Sequence, residues 1–238
     1  LVKSLKSSVL TAFYTPKHII DIVASQIQQT LTGHGLQMKT FLEPSAGVGG
    51  FLPVAMQDTR KTAFEKDLIT GLVLSALEDD THVVIDGFET IDSQTLENDS
   101  FDVIASNIPF GNFKVLDMDF ERMGMPYSQA TKTIHNYFFV KAVEKLKDGG
   151  LLAFITSRGV ANAPGNRFVR DYLVHHCNMI TALRLPDTLF MQTGGVEVGS
   201  DLFIFQKNSH KSDLTTRERM FLDVAKEIGE DMPVVVAN

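Results

Sequence analysis

The chain of 238 residues has one cysteine, Cys177. A lone thiol excludes an internal disulfide and any cysteine-rich metal site. No apolar run approaches the length of a membrane span and no secretory leader opens the chain, so a cytoplasmic protein with no membrane partner is expected. Positive charge is also scarce: 22 Lys and Arg against 29 Asp and Glu leave a net charge of −7. A duplex is gripped mainly by neutralising its phosphates, which an acidic surface opposes. Any nucleic acid must therefore be held through local basic patches or with the help of another domain. Repeats and low-complexity segments are missing too. Apolar residues at 44% and charged residues at 21% make folding, not disorder, the expectation, with room for one large α/β domain or one domain with a small appendage. Leu1 stands where a Met is usual, so an excised or processed piece of a longer chain is expected.

The most informative stretch is the apolar run Phe101 to Phe110, which ends in Asn107-Ile108-Pro109-Phe110. The run reads as a buried strand stopped by Pro109 and Gly111. At its end the Asn107 amide oxygen and the Ile108 carbonyl can each accept one N–H, while Phe110 can stack on a ring. That set suits a planar amine such as adenine. An ordinary Asn-X-Pro turn would give the same four residues, so other segments must decide.

Thr40 to Glu43 reads as a short strand, and Pro44-Ser45-Ala46-Gly47-Val48-Gly49-Gly50 as a glycine-rich turn into a helix. Glycine lets a ligand approach the main chain closely. Gly47 to Gly50 do not complete the dinucleotide fingerprint. An acidic Glu43 before the turn would repel a pyrophosphate and attract an ammonium group. Residues 61–65 form a second strand closed by Glu65, which can take both hydroxyls of a ribose or merely favour the start of a helix marked by Leu68, Leu72, Ala76 and Leu77. A third strand, His82 to Ile85, runs into Asp86-Gly87-Phe88; Phe88 is as compatible with the core as with a ligand wall.

Elsewhere, Thr15 followed by Pro16 signals an N-cap and first turn, with Ile19, Ile20, Val23, Ile27 and Leu31 at helical spacing up to Gly33. From Gly111 to Thr133 the pattern lapses, and a mobile loop beside the target pocket is expected. His135 opens a helix that Asp148-Gly149-Gly150 should end; Leu151 to Thr156 is a strand, Asn166 to His175 a helix, and Met179 to Leu185 another strand. The adjacent His175 and His176 cannot share a helix face, so no metal is expected. Pro186 to Phe190 lead through Gly194-Gly195 to a last strand, Asp201 to Phe205.

Four of these segments resemble the adenine-specific N6 DNA methyltransferases, which use S-adenosylmethionine (SAM). Asn107-Ile108-Pro109-Phe110 resembles their Asn/Asp-Pro-Pro-Tyr/Phe motif, with Ile108 replacing the first Pro at a position that serves through its carbonyl. Glu43-Pro44-Ser45-Ala46-Gly47-Val48-Gly49 resembles their cofactor loop. Phe13-Tyr14-Thr15-Pro16 resembles the segment lying over the methionine end of SAM, and Leu185 to Phe190 the loop that packs an aromatic on the flipped base. The resemblance covers roughly residues 11–207. It implies a seven-stranded class I methyltransferase fold, Rossmann-like, α/β, mostly parallel with an antiparallel last strand. It implies a SAM site made of Tyr14, Thr15, Pro16, Glu43, Pro44, Ser45, Ala46, Gly47, Gly49, Glu65, Asp86, Phe88 and Asn107. Asn107, Ile108, Pro109 and Phe110 would be catalytic, and Phe110 and Phe190 would hold the base. Cytosine C5 methylation needs a cysteine nucleophile, usually after Pro, and Cys177 follows His176 instead.

The expected organisation is a helical segment over 1–36, the methyltransferase domain over 37–207, and a linker or further element over 208–238. The expected activity is methylation of adenine N6 in DNA. Alternatives are methylation of protein glutamine or an RNA base, or a non-catalytic SAM-binding module within a larger anti-restriction or helicase-methylase polypeptide. DNA should be bound weakly by this chain alone, with a recognition subunit or missing domain as partner.

Overall fold

The computed structural model describes residues 15–91, 97–191 and 197–223; Tyr14, Gly194, Gly195 and the residues from 224 onward lie outside them. Seven strands form one sheet: β1 (Thr40–Glu43), β2 (Arg60–Phe64), β3 (Thr81–Val84), β4 (Phe101–Asn107), β5 (Leu146–Ser157), β6 (Cys177–Leu185) and β7 (Ser200–Lys207). Their spatial order is β3-β2-β1-β4-β5-β7-β6. The first five pair in parallel, and β7 runs antiparallel to both β5 and β6. This is the expected mixed sheet. Its central strands read as continuous apolar runs because helices cover both faces.

One face is packed by α1 (Lys17–Gly33), whose buried Ile19, Ile20, Val23, Ile27 and Leu31 join Phe41, Val103 and Ile155 of the sheet. The other face carries α5 (Ile134–Lys145) and α7 (Arg167–His176), with Phe138, Phe139 and Leu173 against Ile104, Phe154 and Phe203. At the amino end of the central strands, Asp102 accepts hydrogen bonds from the Lys39 and Thr40 N–H groups, each at 2.8 Å, and pairs with Lys147 at 2.7 Å. These bonds lock β1 against β4.

Several boundaries differ from the sequence reading. Pro16, not Thr15, is the N-cap of α1: its extended ψ of 141° places its carbonyl to receive the Ile19 N–H, and the Thr15 side chain makes no cap bond. The glycine-rich turn leads to a single 3₁₀ turn, Leu52–Val54, with Pro53 inside it, because β2 starts again at Arg60. Gly149 and Gly150 do not end α5. The helix stops at Lys145 and β5 begins at once, with Leu146 paired to Phe101. On α2 (Leu68–Leu77) the face turned inward carries Gly71 and Leu74, leaving Leu68, Leu72 and Leu77 exposed.

The segment 111–133 is not a structureless lid. It folds into α3 (Met118–Arg122) and α4 (Tyr127–Ala130), anchored by buried Val115 and Phe120. Asp117 caps α3 through the Asp119 and Phe120 N–H groups and accepts from Tyr137 Oη at 2.7 Å and Lys141 Nζ at 2.9 Å. Burial works to raise the Asp117 pKa, but Lys141, Phe120 and Tyr137 together hold it below the usual carboxylate range.

Candidate active site

The chain builds β1, β2 and β3 outward in one direction, then returns to add β4 on the other side of β1. Such a reversal opens a crevice at the carboxyl ends of the two strands, where open α/β sheets bind ligands. The turn after β1 holds Pro44 to Gly50, and the turn after β4 holds Ile108 to Gly111. Ser106, fully buried at the end of β4, donates from Oγ to the Ser45 carbonyl at 3.0 Å and so ties the two turns together.

Two glycines shape the first turn for different reasons. Gly47 has φ +56°, and a Cβ built there meets nothing within 4 Å, so its outer side is open to a ligand. Gly49 has φ +83°, but a Cβ there would lie 2.8 Å from both Leu52 Cδ1 and Leu74 Cδ1. The first glycine leaves space and the second permits packing. Glu65 stands beside the turn, accepting from Gly47 N–H at 2.8 Å through one carboxylate oxygen and from Asp67 N–H at 2.7 Å through the other. Each oxygen retains a lone pair, so a ribose hydroxyl could still be accepted.

Glu43 does not face the crevice as an exposed anion. It is 1% exposed, with Oε1 accepting from Phe51 N–H at 3.0 Å and Oε2 buried without a partner among the described residues. Burial pushes its pKa well above the ordinary carboxylate range, against the opposing main-chain N–H groups of Phe51 and Leu52. Its evident work is to fix the turn into the 3₁₀ segment. Thr15 Oγ1 is a second buried oxygen without a partner among the described residues, at the start of α1, which packs on the same 3₁₀ turn. Open space at Gly47 and the unpartnered Thr15 Oγ1 fit a polar ligand.

Asn107, Pro109 and Phe110 are partly buried at the end of β4. Ile108 turns its side chain into the core, and its N–H bonds to the Ile155 carbonyl at 3.0 Å. Its own carbonyl is set by the main chain and not by the buried side chain. Asp86 is exposed and accepts from its neighbour Gly87 N–H at 2.7 Å. The two other aromatic candidates are fully buried. Phe88 is buried among Phe64, Tyr137 and Phe138 beneath the sheet end, and Phe190 is fully buried on the α1 face, in the same packed cluster as Phe110. The structure thus brings Gly47, Glu65, Asn107 and Phe110 to one crevice and gives Phe88 and Phe190 to the core. Tyr14 lies outside the described residues.

Residues invisible to local reading complete the surroundings. Arg158 pairs with Asp187, linking the end of β5 to the 3₁₀ turn Asp187–Phe190. His135 and Asn166 meet behind the second turn, Nε2 to Nδ2 at 3.2 Å, although 31 residues separate them.

The model of the N-6 DNA Methylase family matches residues 6–233. The chain is 28% identical over 202 residues to the Defense against restriction protein B of Escherichia phage P1, covering 84% of this chain and 8% of that protein. It is 22% identical over 244 residues to the type I restriction enzyme EcoEI methylase subunit of Escherichia coli, covering 93% of this chain and 48% of the subunit. The chain therefore spans less than half the length of either relative. In fold it is similar to the type I restriction-modification system methyltransferase subunit from Streptococcus thermophilus, with a TM-score of 0.66 at 19% identity over 84% of this chain and 46% of that one.

Proposed function

The chain belongs to the N-6 DNA methylase family, and from that premise we propose that it moves the methyl group of SAM to the exocyclic N6 amine of adenine in DNA. The observation that carries this reading is the placing of two turns, Ser45 to Gly50 and Asn107 to Phe110, at the carboxyl ends of the neighbouring strands β1 and β4. The family and fold imply SAM, which supplies an electrophilic methyl on a sulfonium. The residues of the first turn would hold it: Gly47 by leaving room for close approach, Glu65 by accepting ribose hydroxyls, and Asp86 or the main chain beside it by meeting the adenine ring. Thr15 and Pro16 would cover its methionine end.

On the acceptor side, the amine nitrogen is a poor nucleophile because its lone pair is delocalised into the ring. Hydrogen bonds accepted by Asn107 Oδ1 and the Ile108 carbonyl would favour a tetrahedral nitrogen, restore the lone pair and aim it at the methyl. Phe110 would stack on the base, which must leave the duplex to reach this crevice. Phe190 can meet the opposite face only if the turn Asp187–Phe190 withdraws it from the core.

Because the chain spans a fraction of its relatives, recognition of a DNA sequence is assigned to another subunit or another part of a longer polypeptide. The likeness to a protein of phage defence against restriction supports the latter arrangement. Incubation with methyl-labelled SAM and separate DNA, RNA and protein pools tests the proposal, with Asn107→Ala as control. Label should enter adenine in DNA and be lost in the variant while SAM still binds. Label in glutamine or RNA alone would overturn the assignment.

A further inference from the structure

Shortly after Phe110, the chain holds an apolar side chain out into solvent between two anchors. Leu116 is 78% exposed, more than any other large apolar residue among the described ones. Single exposed leucines are ordinary on a protein surface, but the neighbours of this one are unusual. Val115 is buried, with its N–H bonded to the Thr131 carbonyl at 2.8 Å. Asp117 is buried too, caps α3, and accepts from Tyr137 Oη at 2.7 Å and Lys141 Nζ at 2.9 Å. The main chain at Leu116 is thus pinned on both sides, and its side chain projects from a stiff base. Met118, two residues on, is 63% exposed, and Phe113 is 52% exposed. The Phe113 ring lies over Gly111, where a Cβ would stand 2.7 Å from Phe113 Cε1. Gly111 directly follows Phe110.

Charge on this segment departs from that of the whole chain. Residues 111–133 carry Lys114, Arg122 and Lys132 against Asp117, Asp119 and Glu121, a net charge of zero in a chain of −7. Because Asp117 is buried against Lys141, the surface of the segment shows more cations than anions. Lys114 reaches Glu121 at 2.8 Å, an exposed pair of the kind that contributes little and that a phosphate could open. With Val115 and Asp117 turned inward, Lys114, Leu116 and Met118 form a narrow outward edge. An apolar edge one side chain wide, with a cation at its start, suits a base step and its phosphate better than the broad apolar core of a protein interface.

We propose that Leu116 is a wedge for duplex DNA: with Phe113 and Met118 beside it, it enters the base stack at the gap left by the departing adenine and keeps that gap from closing. Apolar side chains inserted between base steps unstack and kink duplexes in this way, and a base that leaves its stack must be compensated for the contacts it gives up. The inference rests on the reading of Asn107 to Phe110 as the acceptor turn. The length of chain from Phe110 to Leu116 limits their separation to about 20 Å. A flipped nucleotide stays joined to its duplex by its own backbone, so a duplex that supplies a base to Phe110 must lie close to this edge.

Two measurements test the wedge without knowledge of a recognition sequence. Anisotropy titrations compare an intact duplex with the same duplex carrying one abasic site, where the gap is already open. The native chain should bind the abasic duplex about tenfold more tightly. Leu116→Ala, at a position too exposed for the fold to depend on its side chain, should abolish the preference, and Leu116→Met, which keeps an apolar side chain of similar size, should retain most of it. No preference in the native chain, or a preference that Leu116→Ala retains, would overturn the inference and leave this edge to a protein partner. The second measurement is methyl transfer from labelled SAM to a mixed-sequence duplex pool and to the same pool denatured. Leu116→Ala should lower the ratio of the duplex rate to the single-strand rate by about tenfold, since a single strand needs no wedge; an unchanged ratio would overturn the inference. A chain that methylates neither pool yet shows the Leu116-dependent preference for the abasic duplex loses the proposed function and keeps the wedge.

Discussion

Ser106 Oγ and the Ser45 carbonyl, 61 residues apart in sequence, lie 3.0 Å from each other and join the two turns of the crevice. Ser106→Ala should cost about 1 kcal/mol of stability, the net worth of one buried hydrogen bond. Its larger effect should be on the crevice, because the first turn would lose this side-chain tie to β4. Calorimetry with SAM and a denaturant melt on the same sample check it. Equal loss of stability and no loss of affinity would assign the bond to the fold alone.

The two glycines of the first turn should fail differently. Gly47→Ala meets open space, so its penalty is the left-handed backbone alone, roughly 1–2 kcal/mol, and the variant should fold but bind SAM poorly. Gly49→Ala adds a clash with Leu52 and Leu74 to the same strain, and overpacking of that kind adds about 1–3 kcal/mol. Thermal melts and SAM titrations of both variants should rank them oppositely in binding and stability per unit of damage.

Asp117 and Lys141 form an ion pair with side chains 5% and 9% exposed. Asp117→Ala should cost about 3–5 kcal/mol because it strands the lysine in the core. Asp117→Asn combined with Lys141→Met should recover much of that loss. The folded pKa of Asp117 lies below its unfolded value, so its contribution is complete above the unfolded pKa of about 3.9 and disappears as pH falls through the folded one. Urea melts taken from neutral pH down the acid limb should therefore show the gap between the native chain and the double variant narrowing once pH falls below about 3.9.

With a net charge of −7, this chain alone should bind duplex DNA with a Kd nearer ~10⁻⁴–10⁻⁶ M, the range of non-specific binding at physiological salt. Fluorescence anisotropy with a panel of duplexes at two salt concentrations measures it. Tight binding to one sequence that survives raised salt would refute the expectation.

The strands were legible because buried parallel strands are apolar runs punctuated by Gly, Pro and acidic residues, and the same punctuation marked the ends of β1 and β4, where the crevice opens. Helical faces were less so. Leu68, Ile69, Leu72, Val73, Leu74 and Leu77 surround α2, so periodicity could not say that Leu74 and Gly71 point inward. Gly149-Gly150 resembled a helix stop, but the stop was set by strand pairing of Leu146 with Phe101, a partner 45 residues away. The burial of Glu43 reversed the electrostatic argument made for it: the sequence revealed an acid at the turn but not that Phe51 N–H would claim it. His135 and Asn166 carried no local signal, since each looks like an ordinary helix-start residue until the fold joins them.

The division of labour between strands has a use in engineering. Residues assigned to SAM all precede β4, from Thr15 and Pro16 at the start of α1 to Asp86 after β3, those assigned to the acceptor lie at the end of β4, and the two parts meet along Phe41 with Val103 and Leu42 with Ile104. A chain cut between β3 and β4 would put donor and acceptor functions on separate fragments, each leaving a bare apolar strand edge that only the other can cover. Methylation would then report the encounter of the two pieces, making this sheet a candidate for a split reporter that writes a covalent mark on DNA.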